Sequence, residues 1–129
     1  MTDDVPPTVL IVEHSDTTRK ILEHTFTAEG FIPVSMSSVQ EAIFALKSIV
    51  PDLAVIQAVL PDASGMKVVQ ALRDDAAFRH VPVLMMSGSS DDRAVLQGSK
   101  GGYAAVFDKP FSLKKMVEAA RGLLGSQVG

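Results

Sequence analysis

The chain has 129 residues, a formal net charge of -3 and no cysteine. This length fits one domain with a real hydrophobic core, because domains commonly contain about 100–150 residues. The lack of cysteine excludes disulfide scaffolds, thiolate metal sites and cysteine nucleophiles. The slight acidity argues against direct binding of nucleic acid, and no apolar run reaches the ~20 residues of a membrane span. Together these features predict a small cytoplasmic domain that binds neither nucleic acid nor membrane.

Short apolar runs alternate with segments of helical period along the chain. The first run, Thr8–Val12, is almost continuously apolar, as expected for a strand that is buried on both faces. Ser15 is a typical helix N-cap, and Ile21, Leu22 and Phe26 follow it at helical spacing. This first repeat predicts a buried strand followed by an amphipathic helix.

The same alternation continues to the end of the chain. Residues 31–34 form a second candidate strand, and the capping-box pair Ser38 and Glu41 begins a second helix. Its predicted inward face consists of Ala42, Ile43, Leu46 and Ile49. Three more strands are predicted at 53–56, 81–86 and 104–107, and three more helices at 66–72, at 91–99 and after Ser112.

Strict alternation of strands and helices predicts a parallel sheet with right-handed crossovers and helices on both faces. The pattern alone leaves the strand order open. We expect residues 8–125 to form one α/β domain, residues 1–7 to be a disordered lead-in, and residues 126–129 to be a tail or the start of a linker.

Polar residues follow the apolar runs at the positions where chemistry is expected in such a sheet, outside the carboxyl ends of the strands. Glu13 and His14 follow the first run, Gln57 the third and Ser87 the fourth, and the fifth is followed by Asp108, Lys109 and Pro110. Convergence of these ends predicts a polar crevice.

The chain resembles the receiver domain of two-component response regulators from residue 8 to residue 124. The motifs that carry the resemblance are VLIVE at 9–13, PDLAVIQ at 51–57, PDASG at 61–65, VPVLMMS at 81–87 and DKPF at 108–111. The resemblance implies a flavodoxin-like fold with strand order 2-1-3-4-5, and signalling of the phosphorelay type.

The departures from the family pattern fall in the crevice. By resemblance, the position of Gln57 is that of the aspartate that accepts a phosphoryl group, and the positions of Glu13 and His14 are those of two acidic residues that help to hold Mg²⁺. The hydroxyl of Ser87 and the pair Lys109–Pro110 are retained, whereas Val106 occupies the position of an aromatic switch residue.

An amide is a poor replacement for the acceptor, because phosphoryl transfer needs an anionic nucleophile and a cation that neutralises developing charge. We therefore expect an atypical receiver with no phosphorylation at Gln57, no catalytic residue, and weak or no Mg²⁺ binding. Lys109 needs a partner, which could be Glu13 or the Gln57 carbonyl oxygen. Gln57 could also bridge Lys109 and Ser87 in a static hydrogen-bonded plug.

Such a domain would work through protein contacts. The resemblance implies a contact face on the fourth helix, fifth strand and fifth helix, with a histidine kinase, an output domain or a second copy as the partner. The residues predicted to lie in that region are Arg93, Gln97, Tyr103, Val106, Lys114 and Lys115. Two alternatives remain open: a working receiver phosphorylated at another residue, and a flavodoxin-like domain that binds a small ligand.

Several conspicuous residues receive an ordinary interpretation. His14 is expected to be a loop residue rather than a metal ligand or a pH sensor, and Tyr103 to pack rather than to bind a partner. Asp91 and Asp92 are interpreted only as acidic residues that favour the start of a helix. Asp52 and Asp62 are not expected to replace the missing acceptor, because neither lies at the carboxyl end of the third strand.

Overall fold

The computed structural model describes residues 5–128, with side chains to residue 125, and residues 1–4 and 129 lie outside it. Its centre is a five-stranded parallel sheet with the order β2-β1-β3-β4-β5. The strands are β1 (Thr8–Val12), β2 (Ile32–Met36), β3 (Leu53–Gln57), β4 (Val83–Ser87) and β5 (Ala105–Asp108). The sheet confirms the predicted flavodoxin-like fold and strand order.

A helix follows every strand. Each of the first four helices carries the chain back to the amino end of the sheet, so all five strands run parallel. The helices are α1 (Asp16–Ala28), α2 (Val39–Ala45), α3 (Met66–Asp74), α4 (Ser90–Gln97) and α5 (Leu113–Val128). The predicted N-terminal lead-in, residues 1–7, falls largely outside the described residues. Among residues 5–128, no helix is both long enough and apolar enough to cross a membrane.

The core has two layers, one on each face of the sheet, because successive side chains of a strand point to opposite faces. Val9 and Ile11 of β1 pack with α1 and α5, whereas Leu10 and Val12 pack with the layer formed by α2, α3 and α4. Phe26 of α1 anchors the first layer with an edge-on contact to Phe31, their ring centroids 5.0 Å apart. The sheet is therefore covered on both faces, which leaves the carboxyl ends of its strands as the place for a site.

Serine side chains fix where the helices begin. The Ser15, Ser38 and Ser89 hydroxyls accept backbone N–H groups at the starts of α1, α2 and α4, and Ser112 accepts the Lys115 N–H at α5. The predicted caps at Ser15, Ser38 and Ser112 are confirmed. These bonds satisfy donors that the first turn of a helix leaves without a partner.

Two predicted inward positions are wrong. Ile21 and Ile43 are exposed on α1 and α2, while Leu22, Phe26 and Ala42 are buried. Helices α1 and α2 each pack on one side only, so the buried stripe of each helix is narrower than the apolar stripe predicted from the sequence. Helix α2 also ends at Ala45, and Ile49 lies beyond it.

The Arg73 guanidinium ties together two loops on the α3 and α4 side of the sheet. It donates to the Arg79 and Val81 carbonyl oxygens before β4, at 3.0 and 2.7 Å. Its Nε and Nη2 also donate to the Gly102 carbonyl oxygen, at 3.1 and 2.8 Å. Burial lowers the pKa of Arg73 from its ordinary value, yet these carbonyl acceptors keep the group hydrogen-bonded. The loop after α4 is thereby held against α3.

Candidate functional site

The parallel register brings the polar residues at the strand ends to one edge of the sheet. Val12 is opposite Ile56, and Gln57 is opposite Met86. Ser87 is opposite Asp108 at the next step across the sheet. Glu13, Gln57 and Ser87 are all buried at this edge, and Lys109 reaches it from β5. The predicted convergence of strand ends is confirmed.

An ion pair between Glu13 and Lys109 occupies the β1 side of the site. The Lys109 Nζ lies 2.6 Å from Glu13 Oε1, and the two side chains are 27% and 3% exposed. The second carboxylate oxygen of Glu13 accepts the Ser15 N–H at 3.0 Å. Of the two partners that the sequence left open for Lys109, the structure shows Glu13.

Gly88 allows the Lys109 side chain to cross the site. A Cβ at position 88 would lie 3.1 Å from Lys109 Cδ, which is closer than ordinary van der Waals contact. The glycine therefore lets the β4–α4 loop (Gly88 and Ser89) pack directly against the lysine stem.

A second polar cluster, centred on Asp92, occupies the β3 and β4 side. The Gln57 Nε2 and the Val59 N–H donate to Asp92 Oδ1 at 2.9 and 2.8 Å. The Gly88 N–H and the Ser89 hydroxyl donate to Asp92 Oδ2 at 2.8 and 3.0 Å. Each carboxylate oxygen thus accepts two hydrogen bonds, and the side chain joins the ends of two strands.

The electrostatics of Asp92 favour the charged form although the residue is only 4% exposed. Burial opposes its ionisation, but the hydrogen bonds from Gly88, Gln57, Ser89 and Val59 outweigh this effect and hold the pKa of the carboxyl below its ordinary value. Asp92 is therefore a buried carboxylate that stays ionised at neutral pH.

The predicted bridge from Gln57 to Lys109 and Ser87 is not present. Gln57 directs its amide nitrogen to Asp92, and among the described residues neither Gln57 Oε1 nor the Ser87 hydroxyl has a hydrogen-bond partner. The physical reason is that a carboxylate is a better acceptor for the amide N–H than a neutral hydroxyl is. The site is hydrogen-bonded, but as two separate clusters.

Gly65 closes the loop that follows Gln57. Its N–H donates to the Ala58 carbonyl oxygen at 2.7 Å, and a Cβ there would lie 2.1 Å from the Gln57 carbonyl oxygen. The position excludes every side chain, which explains the glycine in the PDASG segment.

Three other residues considered from the sequence, His14, Asp52 and Asp62, do not take part in either polar cluster. His14 is exposed. Asp52 accepts the Thr8 N–H at 2.8 Å, and Asp62 accepts the Val39 and Gln40 N–H groups at the start of α2. Across residues 5–128 no group of three or more His, Cys, Asp or Glu side chains is placed to hold a metal ion. The interpretation that Asp52 and Asp62 are not substitute acceptors is consistent with these structural roles.

Part of the predicted contact region forms a groove. It has a volume of about 280 Å³ and is lined by Ser87, Arg93, Leu96, Gln97, Tyr103, Val106 and Asp108. Tyr103 is half-buried against the core and its hydroxyl donates to the Leu96 carbonyl oxygen at 3.4 Å, as expected for a packing residue. Val106 is 40% exposed. Arg93 Nη2 lies 3.3 Å from Asp108 Oδ1, so these two side chains form an ion pair in the groove. Lys114 and Lys115 are exposed on α5 outside this groove.

Asp92 is the site residue that sequence reasoning missed. The interpretation that it only favours the start of a helix is wrong, because the side chain is buried and binds Gln57. One signal was available: Ser89 and Asp92 have the spacing of a capping box, which places the acidic side chain back over the helix start. Nothing in the sequence reveals that the same carboxylate also reaches β3.

Comparison with known proteins agrees with this geometry. Residues 9–121 match the family model described as the response regulator receiver domain. The chain is 29% identical over 124 residues to the polar-differentiation response regulator DivK of Brucella anthropi, in an alignment that covers 94% of this chain and 98% of that protein.

Solved structures have the same fold. The receiver domain of a signal transduction histidine kinase from Syntrophus aciditrophicus superposes with a TM-score of 0.83 at 25% identity, over 93% of this chain and 91% of that one. The receiver domain of the sensor histidine kinase PA1611 from Pseudomonas aeruginosa, solved with a magnesium ion coordinated in its active site cleft, gives a TM-score of 0.82 at 18% identity, over 94% and 99%. The chain therefore belongs to the response regulator receiver domain family.

Proposed function

We propose that this chain is a receiver domain that does not accept a phosphoryl group at the usual position and signals through protein contacts. Receiver domains are generally non-enzymatic signalling domains that interact with kinases or output domains. The observation that carries the proposal is the hydrogen bond from Gln57 Nε2 to the buried Asp92 carboxylate. Position 57 therefore presents a neutral amide held as a donor, with no anionic oxygen to attack phosphorus.

The donor set of the site does not fit Mg²⁺. The one carboxylate at the end of β1, Glu13, is paired with Lys109 and also accepts the Ser15 N–H. Both oxygens of Asp92 are occupied by protein donors. Mg²⁺ needs oxygen ligands in near-octahedral geometry, with carboxylates to anchor it. Replacing one carboxylate about 5 Å from a dication by a neutral group removes about 6–7 kcal/mol of raw Coulomb attraction at an effective dielectric constant near 20. Water ligands and desolvation reduce that figure, but we expect no useful affinity.

The groove between α4 and β5 supports the second part of the proposal. Arg93, Gln97 and Val106 present one charged, one polar and one apolar side chain along it. Mixed surfaces of this kind are typical of non-obligate protein interfaces. We propose a cytoplasmic protein partner, a histidine kinase or an output domain, at this groove together with the α5 residues Lys114 and Lys115.

The decisive experiment is incubation of the purified chain with acetyl phosphate and Mg²⁺, followed by intact mass measurement. We expect no phosphoryl adduct. A stable adduct located by peptide mapping within the site would overturn the proposal and favour the alternative, a receiver phosphorylated at another residue. The Gln57→Asp variant is the matched comparison: an adduct on it but not on the wild type would assign the loss of reactivity to the amide.

Titration with Mg²⁺ tests the same site without a phosphodonor. The backbone amides of Glu13 and Gln57 should show no saturable NMR shift at concentrations below about 1 mM, because the local carboxylates are already paired. Visible absorbance in the protein purified from cells would instead favour a bound small-molecule chromophore.

A further inference from the structure

The Asp92 side chain connects the start of α4 to the end of β3, two parts of the fold that are 35 residues apart along the chain. Its own helix, α4, begins at Ser90, and its Oδ2 binds the Gly88 N–H and the Ser89 hydroxyl just before that helix. Its Oδ1 binds the Gln57 side chain at the end of β3 and the Val59 N–H in the following loop. One carboxylate thus fastens the first turn of α4 to the end of a central strand.

We propose that Gln57 and Asp92 form a permanent latch that fixes the start of α4, so that the α4–β5 groove keeps one geometry with no phosphoryl group in the site. This inference deepens and rests on the proposed function, because a site that is never phosphorylated needs another group to set the position of α4. Neither residue is then a remnant: the amide supplies the donor and the carboxylate supplies the charge.

Burial strengthens the hydrogen bonds of the latch. Gln57 and Asp92 are 6% and 4% exposed, so water competes poorly for their hydrogen bonds. Hydrogen bonds to an ionised acceptor contribute more than neutral ones, and loss of a donor would leave part of a buried charge without a partner. Opening this contact therefore breaks the hydrogen bonds from the loop after β3 and from the β4–α4 loop together, and contacts with water replace them only poorly.

The latch bears directly on the groove. Arg93, Leu96 and Gln97 line the groove and lie within the next five residues of the same helix. Helix α4 has eight residues, which is about two turns, so a fixed first turn also restricts where these side chains lie relative to Val106 and Asp108 of β5. A partner would meet the same surface whatever the state of any kinase.

Amide hydrogen exchange in the Asp92→Asn variant tests the latch on the intact chain. We expect the Val59 and Gly88 amides to exchange at least about tenfold faster, because their acceptor loses its charge and presents a donor on one side. Asp91→Asn is the matched control: it removes the same charge from the exposed neighbouring position and should change both amides by less than about twofold. Unchanged protection in Asp92→Asn would overturn the proposal.

Asp92→Asn also lowers global stability, and the core amides of Leu10 and Val55, which are expected to exchange through global unfolding, report that loss. Low concentrations of urea separate the two effects, because they should accelerate exchange at Leu10 and Val55 but leave the rates of local opening at Val59 and Gly88 nearly unchanged. The Gln57→Met variant provides a second measurement, because it removes only the amide from a side chain of similar length. It should accelerate exchange at Val59 and Gly88 by about threefold or more, again with little dependence on low urea. Protection at these two amides equal to that of the wild type would overturn the proposal.

The two proposals fail in different ways, since hydrogen exchange is measured without any phosphodonor. Protected Val59 and Gly88 amides in a chain that acetyl phosphate modifies would refute the proposed function. Unprotected amides in a chain that stays unmodified would refute the latch alone.

Discussion

The two halves of the strand-end site satisfy their buried charges in different ways. On the β1 side, Glu13 meets the opposite charge of Lys109 at 2.6 Å. On the β3 side, Asp92 has no cation in hydrogen-bond contact among the described residues and relies on four neutral donors, two from side chains and two from the backbone. The first half is an ion pair within the site, whereas the second connects the site to α4. Gln57 therefore belongs to the half that connects the site to α4, and not to the ion pair.

The largest effect is expected from Gln57→Glu, which places a carboxyl group against buried Asp92. Like charges in a buried site cannot both ionise at low cost, so we expect a loss of about 3–4 kcal/mol in unfolding free energy at pH 7. Urea denaturation measures it. The loss should shrink as the pH falls, because the introduced carboxyl group, once protonated, can donate to Asp92 as the amide does. A variant as stable as the wild type at pH 7 would contradict the geometry of this half.

Lys109→Met probes the other half. It leaves the Glu13 carboxylate buried and without its cation, and we expect a loss of about 2–3 kcal/mol because the lysine is partly exposed. The double variant Glu13→Gln with Lys109→Met should recover part of that loss, since it removes the stranded charge. Additive losses in the double variant would show that the pair is not coupled.

The pH dependence of Asp92 distinguishes the halves further. Although burial opposes its ionisation, the hydrogen bonds lower its folded pKa. Its contribution to stability is therefore present above the unfolded value of about 3.9 and is lost as the pH falls through the folded value. Asp92→Asn should cost about 2 kcal/mol at pH 7 and less below about pH 4. Urea midpoints across that range provide the measurement, and a penalty that does not change with pH would contradict an ionised Asp92.

The smallest effect is expected at Val106, which lies in the groove and outside both halves. Its side chain is 40% exposed, so Val106→Ala should change the unfolding free energy by less than about 0.5 kcal/mol. Thermal denaturation checks this. A loss above about 1.5 kcal/mol would mean that the valine is part of the core rather than of a contact surface.

The fold was predictable from the sequence to the extent that local patterns determine it. Buried runs such as Thr8–Val12 and the serine caps located the elements to within a few residues, while the strand order came from the family resemblance. The prediction failed where a residue's environment depends on distant partners. Ile21 and Ile43 have helical spacing but are left uncovered by the rest of the fold.

Four side chains of the site were predictable from the sequence, whereas Asp92 and the hydrogen bonds that connect the site were not. Glu13, Gln57, Ser87 and Lys109 do meet at one edge, and the sequence left two partners open for Lys109. The predicted hydrogen bond of Gln57 was wrong, because its partner Asp92 lies 35 residues away along the chain. A contact of that separation has no periodic signature in a single sequence.

The Arg73 contacts to Gly102 hold the loop that follows α4, while the Asp92 contacts hold the start of the helix. A helix whose start is held, and whose following loop is also held, loses little conformational freedom on association, so binding of a partner that matches its shape costs little conformational entropy there. We therefore expect a partner whose surface already matches this helix to bind it, with only a small rearrangement of the backbone when the complex forms.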